Sequence, residues 1–151
     1  MDIALTFNTL TLTSDINLIR GDLESEKDLA TAVILSLFSD RRARSDDPLE
    51  PNESKRGWWG DTYAEINNDQ FGSRLWLLRR EKVLEKVLTR AQQYAQESLQ
   101  WLIDDRVAEK INVTTEVVGK RSDGVLGIRV EVKKPNRTAQ SYKFDYAWEQ
   151  I

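Results

Sequence analysis

The chain has 151 residues, 40% hydrophobic and 31% charged, with 22 basic and 25 acidic side chains and a formal net charge of −3. That length suits one domain over residues 1–151 with its own core, and the slightly acidic balance supplies no field toward nucleic acid. Histidine and cysteine are absent, which excludes disulfides, thiolate or imidazole metal sites, Ser-His-Asp triads and histidine acid–base catalysis; no cofactor or metal is expected.

No apolar run reaches membrane-spanning length, and the N-terminus lacks the basic start and apolar core of a signal peptide, so no membrane partner is expected. Ile3, Leu5 and Phe7 alternate with polar residues, the period of a half-buried strand. Ile16 and Leu18 suggest a second short strand, stopped at Gly21-Asp22. Residues 2–20 therefore read as a strand pair.

Ser25 with Asp28 resembles a capping box and predicts a helix start, worth about 1 kcal/mol. Leu29, Val33 and Leu37 form the helical stripe, widened by Ile34, Leu35 and Phe38, and the helix should end near Asp40. From Arg41 to Gln70 there is little periodicity. Pro48, Pro51, Gly57 and Gly60 punctuate this stretch, and loops of such length are usually functional or mobile. Ser73 can cap a segment holding Leu75, Trp76, Leu77 and Leu78. After a polar interruption at residues 79–82, Leu84, Leu88, Ala91, Ala95 and Leu102 recur at helical spacing, to an end close to Arg106.

The last third changes period. Ile111, Val113 and Val117 alternate with polar residues, Ser122-Asp123-Gly124 is a hairpin signature, and Leu126, Ile128, Val130 and Val132 alternate in turn. Tyr142, Phe144, Tyr146 and Trp148 share one face of a final strand. The expected architecture is α+β: an N-terminal strand pair, two main helices and a C-terminal three-stranded antiparallel sheet.

The densest chemistry lies between Ser36 and Asp61. Asp40, Arg41, Arg42 and Arg44 follow a helix C-terminus, where cations complement the dipole and stay solvated; arginine forks also suit a docking face. Trp58 and Trp59 are adjacent in an extended segment, which predicts one ring inward and one free for a partner. Trp76, Trp101 and Trp148 sit beside apolar neighbours and read as core. Asp104, Asp105 and Arg106 form either a helix stop with a local ion pair or a partner contact. Asp46, Asp47 and Glu50 lack the spaced ligands and glycine of a calcium loop.

Four islands, DIALTFN, LATAVILSLFSDRRARSDD, RGWWGD with GSRLWLLRREK, and RAQQYAQESLQWLIDDRVA, resemble the small tail baseplate proteins of Mu-like contractile phages. The C-terminal VLGIRVEVKKP and FDYAWEQI also fit, so the resemblance spans nearly the whole chain. That family is similar, more remotely, to baseplate wedge subunits of T-even phages and of type VI secretion systems. On that likeness Ser39-Asp40-Arg41-Arg42 takes the place of an arginine-containing turn, Trp59-Gly60 that of the loop end, and Asp104-Asp105-Arg106 that of a Glu-Pro-Arg motif, without its proline.

The resemblance implies a structural role in the virion tail after synthesis in the bacterial host cytoplasm. Its implied partners are other baseplate wedge proteins, held by the helical side, and the tail sheath protein, held by strand addition. It makes Asp40, Arg41, Arg42, Arg44, Trp58, Trp59, Asp104, Asp105 and Arg106 candidate partner-binding residues and implies no enzyme activity. The alternative is a tail-associated cell-wall hydrolase working with carboxylates.

Overall fold

The computed structural model describes residues 2–8, 13–20, 22–23, 25–26, 29–79, 81, 85–119 and 125–146. The chain opens with six short strands: β1 (Asp2–Ile3), β2 (Leu5–Asn8), β3 (Thr13–Ile16), β4 (Leu18–Ile19), β5 (Asp22–Leu23) and β6 (Ser25–Glu26). They form three antiparallel ladders, with Leu5 opposite Ile16, Leu18 opposite Leu23 and Asp2 opposite Glu26. The expected strand pair is β2–β3. Asp22, expected to stop a strand, instead begins one, because Arg20 at φ 53° turns the chain back.

Helix α1 (Ala30–Phe38) follows. Ser25 does not cap it. Ser25 is paired with Ile3, and the residue preceding the helix is Leu29, which supplies no side-chain cap. Pairing with the first strand thus takes Ser25 away from the helix start. Leu29 instead donates its N–H to the Tyr142 hydroxyl at 3.4 Å. Thr31 joins helix and ribbon, accepting from Leu5 N–H at 3.2 Å and donating to the Ile3 carbonyl at 2.9 Å.

The segment opened by Ser73 is a 3-10 turn, Leu75–Leu78, separate from the next helix. Helix α2 (Glu85–Leu99) buries Val87, Ala91, Tyr94, Ala95, Ser98 and Leu99, one stripe at steps of three and four. The short α3 (Trp101–Asp104) continues that stripe with Leu102, and just beyond it Arg106, at a φ of 60°, leaves the helical region.

Strands β7 (Lys110–Val118), β8 (Val125–Lys133) and β9 (Gln140–Tyr146) form the expected antiparallel meander, with Val113 opposite Val130 and Ile128 opposite Phe144. Ile111, Val113, Leu126, Ile128, Val130, Val132 and Phe144 are buried, while Lys110, Asn112, Arg129 and Glu131 alternate outward. The helices cover that apolar face, giving a two-layer α+β domain. Val33, Leu37, Leu75, Leu78, Leu99 and Leu102 complete the core, and Phe38 meets Phe144 edge-on at 5.4 Å. The expected turn at Ser122-Asp123-Gly124, Leu84 and Trp148 lie outside the described residues.

Candidate docking surface

The backbone leaving α1 does not wander. Ser39 is extended, and Asp40 forms a single parallel bridge with Ser73. Arg41 N–H donates to the Ser73 carbonyl and Ser73 N–H to the Ser39 carbonyl, both at 2.9 Å. Gly72 makes this approach possible: its φ is +93°, and a Cβ there would lie 2.4 Å from the Ser39 oxygen. The Ser73 hydroxyl donates to Leu37 O and accepts from Leu75 N–H at 3.3 Å. Farther along, Ala43 N–H reaches Lys55 O, and the Trp76 indole N–H donates to Arg41 O at 2.8 Å. A stretch without periodicity is thus held by named polar contacts.

The charges of this loop converge on Glu97 of α2. One carboxylate oxygen accepts from Arg44 and faces Arg41 at 3.5 Å; the other accepts from Arg74 at 2.7 Å. Arg74 also binds Asp47 at 2.7 Å, and its guanidinium carbon lies 4.4 Å from the Tyr94 ring centroid. Arg74 and Asp47 have side chains only 8% and 5% exposed, so this pair is interior. Burial works to lower the Arg74 pKa, but hydrogen bonds and charge from Glu97 and Asp47 outweigh it, and the pKa is raised. Asp47, weighed with Asp46 and Glu50 as an ion ligand, is turned inward to this arginine.

Asp40 has a second role. It binds Arg56 at 2.6 Å, and the Arg56 guanidinium lies 4.5 Å over the Trp76 ring. Arg42 is exposed, with its stem alongside Gly57 and one guanidinium nitrogen 3.5 Å from Arg56 O.

The tryptophans depart from the expected one-in, one-out arrangement. Trp58 is 46% exposed and Trp59 74%. Trp58 rests on Phe71 at 5.5 Å and lies so close over Gly60 that a Cβ there would overlap it. The 3-10 turn Trp59–Tyr63 makes this possible, because it folds the chain before either ring can reach the core. Trp76 is buried as expected. Trp101 is not: it is 38% exposed, its indole N–H held by the Ser36 hydroxyl at 3.0 Å. It begins α3 on the side away from Leu102, which takes the core position instead.

Between the 58–72 loop and the end of α2 runs a groove of about 820 Å³. Arg41, Arg44, Trp58, Asp104 and Asp105 all line it, so five of the nine candidate residues from three separate stretches meet there. Asp40 is turned to Arg56, while Arg42, Trp59 and Arg106 are exposed outside its lining. Sequence reasoning missed Arg74, Glu97 and Arg56. Glu97 stands three residues beyond Tyr94 at the border of the α2 stripe, where a charge normally signals only a solvated face.

The chain is thus an α+β domain with a polar-stapled loop over its helices and exposed aromatics on that loop. The profile of the family described as Phage protein GP46 matches residues 29–139, and the chain belongs to that phage baseplate family. It is 38% identical over 128 residues to the baseplate protein gp46 of Escherichia phage Mu, covering 84% of each chain. It is 36% identical over 149 residues to the Mu-like prophage FluMu protein gp46 of Haemophilus influenzae, covering 97% of each.

Proposed function

We propose that this protein is a structural baseplate wedge component that docks neighbouring tail proteins through the groove and the exposed aromatic loop, and offers its sheet to the sheath. The observation that carries the docking reading is the convergence of Arg41, Arg44, Trp58, Asp104 and Asp105 on one groove, next to Trp59. Exposed tryptophans beside arginines are the residue types that dominate protein interfaces.

Strand addition needs an open sheet edge. The sheet ends in β7 on one side and β9 on the other. Helix α2 already engages β7, with Gln92 donating to the Val113 carbonyl at 2.8 Å and Thr115 donating to Leu88 O at 3.0 Å. These contacts favour β9 as the strand that receives a sheath segment.

The test is co-purification with the wedge and sheath proteins encoded beside this chain. Arg42→Ala with Trp59→Ala should release the wedge partner while leaving the fold intact; full retention would overturn the docking reading. Binding of sheath protein should slow amide exchange across residues 140–146, and protection along β7 instead would overturn the choice of edge. A peptidoglycan-release activity abolished by one carboxylate change would replace the structural reading with the hydrolase one.

A further inference from the structure

Three arginines of this fold are held in the same way, one of them Arg90, which lies over Tyr94 at 5.8 Å and pairs with Glu81. Arg56 lies over Trp76 and pairs with Asp40; Arg74 lies over Tyr94 and pairs with Asp47 and Glu97. The ring attracts the cation and beds its apolar stem, while the carboxylate fixes the planar fork.

The groove brings the same ingredients together with no cation paired to its free carboxylates. Trp58, Tyr63 and Trp101 supply rings, and Asp61, Asp104 and Asp105 supply carboxylates. No ion pair joins any of these three carboxylates to a cation among the described residues. Their contacts are neutral: Asp61 Oδ1 accepts from Phe71 N–H at 3.0 Å and Asp104 Oδ1 from the Gln100 amide at 2.9 Å. Each keeps its second carboxylate oxygen for a ligand. Arg41 and Arg44, which line the same groove, are paired with Glu97.

We infer that the groove receives an arginine side chain from a partner baseplate protein, its guanidinium between the aromatic rings and the Asp61, Asp104 and Asp105 carboxylates. This rests on the docking reading and names the chemistry of its partner. At about 820 Å³ the space exceeds one side chain, so apolar residues flanking the arginine enter with it against Trp58 and Trp101. Arginine fits better than lysine because its plane stacks on a ring while its edge binds carboxylate. Phosphate-rich partners are repelled by the same acids.

The probe is N-acetyl-arginine amide, titrated into the intact protein while the Trp58 and Trp101 indole N–H signals are followed by NMR. Saturable shifts at both are expected, with the citrulline analogue, equal in shape but uncharged, about tenfold weaker or more. Asp104→Asn with Asp105→Asn should weaken arginine by about tenfold, whereas Asp46→Asn, exposed and outside the groove, should not. Equal binding of citrulline, no shift at either indole, or equal weakening by Asp46→Asn would overturn the inference. Baseplate proteins captured undiminished by the double Asn variant, once it has lost arginine binding, would overturn the groove as their route and leave the docking role standing. Arginine binding with no baseplate protein captured would overturn the docking role and keep the arginine site.

Discussion

Glu97 binds Arg74 at 2.7 Å through one carboxylate oxygen and turns the other to Arg41 and Arg44, so a single helix residue fastens the loop after α1 to α2. Arg74 is the buried member; without Glu97 it keeps Asp47 but loses one of its two carboxylates, and an under-compensated buried charge is more costly than a lost surface pair. Glu97→Ala should therefore lower unfolding free energy by about 2–4 kcal/mol, read by urea denaturation. Arg44→Ala, half exposed at the same carboxylate, should cost less than about 1 kcal/mol. The raised Arg74 pKa has a definite sign. A folded pKa above the unfolded one gives stability that is present at lower pH and lost only as pH climbs through it. The arginine side of this network is therefore insensitive to pH across the neutral and acidic range.

Gly72 is the backbone counterpart of that staple. Alanine there meets both a disfavoured φ of +93° and the Ser39 carbonyl at 2.4 Å, and the obstacle is main chain, which cannot swing aside. Gly72→Ala should destabilise by about 2–4 kcal/mol. Gly57→Ala also carries a positive φ, but its nearest obstacle is the Arg42 side chain at 3.1 Å. It should cost about 1 kcal/mol. Equal losses in the two variants would show that the Ser39 contact does not govern the difference.

The regular elements were legible because their periodicity is also their burial pattern: the stripe through Ala91 and Ala95, and the alternation through Ile128, Val130 and Val132. Three candidate stretches were legible by composition, and their meeting in one groove was not, since residues near 41, 58 and 104 are joined only by tertiary packing. Arg74 and Glu97 escaped for a physical reason. A buried arginine is unreadable until its two carboxylates and its ring are seen together, and each of the three charged side chains alone looks like ordinary surface. Ser25 misled because its hydroxyl suits a helix start, while its main chain is already paired with Ile3. Trp101 misled because a helix beside leucines has two faces, and Leu102 takes the inner one.

Thr31 ties the N-terminal ribbon to the core through two hydrogen bonds of one hydroxyl, to Leu5 N–H and Ile3 O. Thr31→Val keeps the shape and removes both. The loss should be about 1–2 kcal/mol, because the residue is 7% exposed and leaves polar main chain under-satisfied. Amide exchange locates the effect: the Leu5 N–H should lose protection well before the amides of β8. Unchanged exchange at Leu5 would mean that the ribbon is held by its own ladders.

Trp59 on the loop and Trp76 in the 3-10 turn after it let the proposed docking be tested apart from folding. Trp76 is 5% exposed, carries Arg56 on its ring and donates to the Arg41 carbonyl. Trp76→Ala should cost about 3–5 kcal/mol of stability by opening a cavity under the loop, and Trp76→Phe about 1–2 kcal/mol through the orphaned carbonyl and lost volume. Trp59 is 74% exposed and touches Trp58 and Tyr63 only through ring contacts at the surface. Trp59→Ala should leave stability within about 0.5 kcal/mol and weaken capture of a wedge partner by about 2 kcal/mol or more, the loss expected of an aromatic anchor. Thermal melts and partner titrations on the two variants should move in opposite orders. A Trp59→Ala protein that melts early yet binds normally would make that ring a structural support and remove it from the docking face.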